Sequence, residues 1–143
     1  GCVHVAKNAG ASCGCTIHGG EVVVGGSVGA RCGISMKGGT ILVGANAGYL
    51  TGYMMQRGRI VICGDVGDAV GDSMYEGTIY VGGKVGTLGN DAKFEDLETK
   101  EAESLMELLD RFEISAKPAF KKIVCEGKLY HFDELELLER QVV

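Results

Sequence analysis

No apolar run in the chain approaches the roughly 18 residues of a membrane-spanning helix, and its start has no signal-peptide pattern. Nothing therefore points to a membrane or to secretion. Clustered lysine and arginine are also missing. Residues 1–90 carry 6 Lys/Arg against 5 Asp/Glu, and residues 91–143 carry 8 against 14. The net charges are +1 and −6, which argues against nucleic acid as a partner, because phosphate binding needs a basic face. Glycine is scarce in one half only. Of 24 glycines, 23 precede residue 91, and Gly127 stands alone beyond it.

What is present is a repeat of 19 residues. Gly1, Gly20, Gly39, Gly58 and Gly77 share one column, Gly10, Gly29, Gly48, Gly67 and Gly86 a second, and Gly14, Gly33, Gly52 and Gly71 a third. The apolar columns are as regular. Val3, Val22, Ile41, Ile60 and Ile79 form one, Val5, Val24, Val43, Ile62 and Val81 another, and Ile17, Met36, Met55 and Met74 a third. A fixed period near 20 marks a stacked-repeat architecture.

Each unit opens on an alternating x-V-x-V strand, as in "TILVG" and "TIYVG", and no helix-length segment separates consecutive strands. Strands this short cannot stand alone. They must stack as coils about 4.8 Å apart, which makes an all-β, single-stranded parallel β-helix with almost five coils and a length of about 23 Å. Columns through Val3, Val5, Ala9, Cys13 and Ile17 are expected to point inward as ladders. The glycine columns are read as corners, where positive φ and close approach of coils both favour glycine, and not as a phosphate cradle. G-x-G-x-x-G would need a following helix, and there is none.

One outward column is apolar: His4, Val23, Leu42, Val61 and Tyr80. An apolar stripe on a sheet needs a cover. The acidic extension supplies it in "TKEAESLMELLDRF", residues 99–112, with Ala102, Leu105, Met106, Leu109 and Phe112 at helical spacing and Thr99 as the expected N-cap. Two short extended runs are expected about Glu126-Gly127, and a short amphipathic helix over residues 133–141. The division is thus a repeat domain over 1–90 and an extension over 91–143 whose helix packs on the β-helix.

Chemistry-bearing residues are present, but not in catalytic patterns. Cys13 and Cys32 share a column continued by Thr51 and Val70, so they are expected as small core residues; with Cys15 they match no metal-ligand spacing. A Cys13–Cys32 disulfide is allowed by distance, but parallel in-register neighbours orient their Cβ atoms poorly for it. Gly33-Ile34-Ser35 and Gly71-Asp72-Ser73 are half of a nucleophile elbow whose closing glycine is replaced by Lys37 and Tyr75. Asp65, Asp68 and Asp72 suit a solvated acidic corner better than a calcium site. His4, His18 and His131 lack ligand-like neighbours apart from the Cys15/His18 pair. Cys2 follows Gly1 and so is no N-terminal nucleophile. No catalytic, cofactor-binding or metal residue is assigned, and no turnover is expected from the isolated chain.

The unit "GGTILVGANAGYLTGYMMQRG", residues 38–58, resembles the GXGXG repeat domain at the carboxyl end of the glutamate synthase large subunit. The resemblance covers residues 1 to about 90. The tail, with "FKKIVCEGKLYHF", is similar to the ending of stand-alone archaeal-type versions. The resemblance implies a right-handed β-helix and a place in glutamate synthase, which makes glutamate from glutamine and 2-oxoglutarate. Glutaminase chemistry, FMN and an iron–sulfur cluster would belong to partner domains. The β-helix would hold those domains and border the ammonia path, without a cofactor or a catalytic residue of its own. The family's domain begins earlier, so further coils are expected before Gly1. The repeat-bearing component of formylmethanofuran dehydrogenase shares this pattern and is the alternative, followed by a free-standing assembly scaffold.

A reduced, cytoplasmic protein is expected, since the cysteines follow the repeat and not a disulfide framework. Residues 1–10 hold no proline, no helix and only Lys7 as a charge. The first coil, Gly1 to Gly19, is therefore expected to be a contact surface, filled by preceding coils, an enzyme partner or a second copy.

Overall fold

The computed structural model of the chain describes residues 1–127. Strands β1 (Cys2–Val5), β2 (Glu21–Val24), β3 (Lys37–Val43), β4 (Arg57–Ile62) and β5 (Thr78–Val81) are followed by β6 (Ala92–Glu95), helix α1 (Thr99–Arg111) and β7 (Lys121–Cys125). The first five strands pair in parallel, each with the next, and Val3, Val22, Ile41, Ile60 and Ile79 lie in register. The period of the apolar columns is thus the period of the stack, and the fold is a β-solenoid with four full 19-residue steps between β1 and β5.

Rung bonds carry the stack through the corners. The N–H groups of Gly25, Gly44, Cys63 and Gly82 donate to the carbonyls of Val5, Val24, Val43 and Ile62 at 2.8–2.9 Å. Further bridges join Ala9 to Val28, Ala47 to Val66, and Val66 to Val85. Inside, Val24, Met36, Ile41, Val43, Met55, Ile60, Ile62, Met74 and Ile79 are fully buried in one ladder core. Each such side chain contributes about 1.5–3 kcal/mol by leaving water, which offsets the ordering of many short segments.

The glycine columns do not all answer the same need. Gly33 is left-handed at φ +72°, and a Cβ there would lie 2.4 Å from Ile60 Cδ1 across the core. The column through Gly48 and Gly67 is not left-handed. A Cβ on Gly48 would sit 3.0 Å from the Ala30 backbone nitrogen, so coil-to-coil approach alone requires glycine there. Non-glycine residues also take the left-handed region, in two columns: Ser12, Arg31, Leu50 and Ala69, then Thr16, Ser35, Met54 and Ser73, all at φ 52–60°. Every arch therefore alternates left-handed residues about its third-column glycine.

The repeat loses phase after Val85. Val66 faces Val85, but Val70 faces Leu88, a step one residue shorter. There the Thr87 hydroxyl oxygen accepts the Ala69 N–H at 3.0 Å. Beyond this point the next place in the sheet goes to β7, which runs antiparallel to β5 with Ile79 facing Ile123 and has β6 on its other side. The extension therefore closes this end of the sheet with a reversed strand.

Helix α1 lies over the apolar stripe. Leu105, Leu108 and Leu109 pack with Val23, Leu42, Val61 and Tyr80, while Met106 and Phe112 flank them. Ala102 is half-buried and outside this cluster, and Leu108 takes its place. Thr99 is the first helical residue and not the N-cap. Glu98 is the cap, in a capping box whose Glu101 Oε1 accepts the Glu98 N–H at 3.2 Å. A carboxylate at the third helical position satisfies that donor as the box requires. Of the two extended runs, Lys121–Cys125 forms β7. The run from residue 128 and the helix expected over 133–141 lie outside the described residues.

Candidate functional site

A thiol pair stands at the first arch. Cys13 lies between left-handed Ser12 and Gly14, and Cys32 between left-handed Arg31 and Gly33. The same backbone shape thus places both side chains on the same wall of the core, one coil apart. The Gly33 N–H donates to the Cys13 carbonyl at 2.8 Å, holding the two arches in register. Cys32 is 0% exposed, whereas Cys13 is only partly covered. The Cys32 thiol donates a hydrogen bond to Cys13, which brings the Cys13 thiol down to about 7 against the opposing effect of burial. That same bond, followed by burial and the charge on Cys13, pushes Cys32 well up. All six cysteines are free thiols, and burial raises Cys63 to about 11.

A second constellation joins the solenoid to its extension. The Tyr80 hydroxyl donates to Glu101 Oε2, and Lys122 Nζ donates to Glu101 Oε1 at 2.8 Å and pairs with Glu95 at 3.0 Å. The Lys122 side chain is 12% exposed and that of Glu101 20%. Burial raises the Glu101 carboxyl, but the hydrogen bonds from Lys122, Tyr80 and the Glu98 N–H outweigh it and the net direction is down. Lys122 is raised, chiefly by its bond to Glu101. Tyr80 is raised by burial and then by Glu101. A cavity of about 450 Å³ opens beside this network, lined by Phe94, Leu97, Phe120 and Lys122 among others.

A smaller cleft of about 180 Å³ lies beside the helix, between Arg59, Ser104 and Arg111. Arg59 is held by two hydroxyls, Thr40 at 3.0 Å and Ser104 at 3.2 Å, while Arg111 pairs with Glu21.

The other chemistry-bearing residues stay apart. Ser73 donates to Asp72 Oδ1 at 2.8 Å, and neither Ser35 nor Ser73 meets a histidine among the described residues. Cys2, Cys15 and His18 are exposed. His4 stacks edge-on against Phe112 with centroids 6.4 Å apart. His131 lies outside the described residues. Among the described residues, no three His, Cys, Asp or Glu side chains converge to hold a metal ion, and no helix is long and apolar enough to cross a membrane.

Asp65 has a role beyond that of a solvated acidic corner. Asn8, Ser27, Asn46 and Asp65 form a column in which each side-chain oxygen accepts the N–H of the residue one coil on. The bonds run to Ser27, Asn46, Asp65 and Lys84 at 2.8–3.0 Å. The signal is present in the sequence, where four short oxygen-bearing side chains recur at intervals of 19. Asp72 repeats the theme at the phase slip, where its Oδ2 accepts the Asn90 N–H at 3.2 Å.

Strand registry, glycine columns and the helix-covered stripe describe one repeat design, and a family model built on that design matches residues 4–122. The chain belongs to the GXGXG motif family. This is the family of the glutamate synthase large-subunit domain, as the resemblance implied. The GXGXG match runs past the glycine-rich repeat through the helix to Lys122, so it includes residues on both sides of the Tyr80–Glu101–Lys122 network. Comparison with curated proteins and with solved structures finds no match to the chain.

Proposed function

We propose that this chain is the GXGXG structural component of a glutamate synthase. It scaffolds the glutaminase and the FMN/iron–sulfur domains and takes no part in the chemistry itself. The observation that carries this reading is the family match across residues 4–122. FMN and the iron–sulfur cluster belong, in this reading, to the partner domains. The compartment is the cytoplasm, where free thiols such as these six persist.

The partner surface in this reading is the end formed by the first coil. Gly29 and Gly33 donate their N–H groups to the coil before them, and Ser27 donates to the Asn8 side chain. Their counterparts one coil earlier, Gly10, Gly14 and Asn8, have no such acceptor among the described residues. Val3 is 59% exposed at the end of its ladder. Unpaired donors beside a bare ladder suit a polypeptide edge as occupant, from an enzyme partner, a preceding coil or a second copy.

Reconstitution tests the assignment. The chain is mixed with glutaminase and FMN/iron–sulfur subunits from the same source, and glutamine-dependent glutamate formation from 2-oxoglutarate is followed. Co-elution, with activity that depends on this chain, is the expected result. Native co-purification with molybdenum or tungsten enzyme subunits would instead select the formylmethanofuran dehydrogenase reading. Assembly with neither set would leave a free-standing scaffold.

A further inference from the structure

The cleft beside the helix has no part in the scaffold reading. We propose that it binds a small α-amino acid, whose carboxylate sits on Arg59 and whose ammonium sits on Glu107. This site stands on the cleft alone, so its failure would leave the scaffold reading untouched.

Three features of the cleft carry this. The first is an arginine held without a carboxylate. Arg59 is half-buried on β4, where its Nε donates to the Thr40 hydroxyl at 3.0 Å and its Nη1 to the Ser104 hydroxyl at 3.2 Å. It enters no ion pair among the described residues. Both N–H groups of its Nη2 remain, with one on Nη1, as a fork for a carboxylate. Two neutral hydroxyls already fix that fork, so a ligand finds it ordered and little side-chain freedom is lost. The second is an unpaired carboxylate in the same cleft. Glu107 is exposed, lines the cleft, and pairs with neither Arg59 nor Arg111. It follows Ser104 by three residues on α1, so their Cβ atoms lie about 5–6 Å apart on one face. Arg59 reaches Ser104, and Glu107 therefore stands one helical turn from the guanidinium. The third is the state of the other lining residues. Arg111 already holds Glu21 and lies 4.9 Å from the Phe112 ring centroid. Leu108, almost fully buried, gives the cleft an apolar wall.

These charges select the ligand. An unpaired cation and an unpaired anion share a cleft of about 180 Å³. A phosphate or a simple carboxylate would gain Arg59 but be repelled by Glu107, and a simple amine would meet the reverse. An α-amino acid carries an ammonium and a carboxylate on one carbon. It meets each lining charge with its opposite, through charge-assisted hydrogen bonds. Binding is reversible, and no covalent bond forms or breaks. Arg59 belongs to β4 and Glu107 to α1, so the bound molecule joins the solenoid to its covering helix.

The test titrates the folded, isotope-labelled chain with glycine, acetate or methylammonium at constant ionic strength. The Arg59 Nε–H and the backbone amides of Ser104 and Glu107 are followed by NMR. Glycine should shift all three signals saturably, with a Kd on the order of 1–10 mM. Acetate and methylammonium should each bind at least about tenfold more weakly, because each lacks one charge-assisted bond. Glu107→Gln, on the exposed side of the helix, should weaken glycine about tenfold and strengthen acetate. Arg59→Gln should weaken both. If glycine gives no saturable shift at these groups in the wild type, the proposal fails. It fails equally if acetate binds as tightly as glycine, which would leave a site for anions only. Because the wild-type titrations decide alone, a variant that does not fold leaves the test intact.

Discussion

The Tyr80 hydroxyl donates to Glu101 Oε2 at 2.6 Å, and through that bond the last parallel strand grips the first turn of the helix. Lys122, on the reversed strand, grips the other oxygen of the same carboxylate at 2.8 Å. One side chain therefore joins β5, α1 and β7, and its protonation state matters to all three.

Stability should fall at both ends of the pH scale. Glu101 is depressed in the fold, so its contribution is present above its ordinary value of 4.5 and is lost as pH falls through the folded value. Tyr80 and Lys122 are raised, so theirs is complete below about 10 and is lost as pH rises beyond it. Melting temperature against pH checks both limbs, and Glu101→Gln should flatten the acid limb. Tyr80→Phe should remove on the order of 1–2 kcal/mol at neutral pH, as expected for a bond to a charged acceptor. A Tyr80→Phe melt identical to wild type would show that the bond contributes nothing.

Met54 is 43% exposed and left-handed at φ 55°. Met54→Gly should be neutral or stabilising by up to about 1 kcal/mol, because relief of the left-handed strain offsets the added freedom of the unfolded chain. Met54→Val puts a β-branched residue in that region and should destabilise the fold by about 1–3 kcal/mol. Denaturant midpoints check the order, with the glycine form at or above wild type and the valine form below it. A valine form as stable as the glycine form would remove backbone strain from this position.

The side-chain ladder makes an isosteric prediction. Asp65→Asn keeps an oxygen for the Lys84 N–H and should change stability by less than about 0.5 kcal/mol. Asp65→Leu strands that donor at a partly wet corner and should cost about 1 kcal/mol. The Lys84 amide should also exchange faster in the leucine form. Equal exchange rates in the two variants would remove the ladder from the account of stability.

Leu109 is fully buried between the helix and the stripe. Leu109→Ala should cost about 2–5 kcal/mol, as large-to-small core changes do. Helical ellipticity should be lost before the strand signal if the cover detaches first. A single coincident transition, with no separate loss of helix, would show instead that cover and solenoid unfold as one unit.

The strand register is legible in the sequence because every core column repeats at 19 with the same kind of side chain, and Val61 and Leu42 mark the covered face by being apolar where a wet face should be polar. Ile123 beside Ile79 is not legible. That pairing spans a helix and a loop, and no local pattern names the partner of a five-residue strand. The same limit hides the helix cap. Thr99 is the better intrinsic cap, but Glu101 reaches back to the Glu98 N–H and starts the helix one residue earlier. Leu50 and Met54 in left-handed backbone are equally hidden, since the repeat imposes their φ against their own preference. Of the candidate site, the shared column of Cys13 and Cys32 is visible. The opposite shifts of their thiols are not, because they depend on how deeply the arch buries each residue.

Rungs at this spacing are also a template for their own kind, and a stack of them is one exposed edge away from a fibre. The reversed β7 removes the matching edge from one end, because another copy's first coil needs a parallel neighbour and finds an antiparallel pair. Outermost there among the described residues is β6, four residues long and carrying Lys93 and Glu95. A short charged rim of this kind repels strand addition. Among the described residues β5 is thus already paired on the side where a head-to-tail neighbour would have to add.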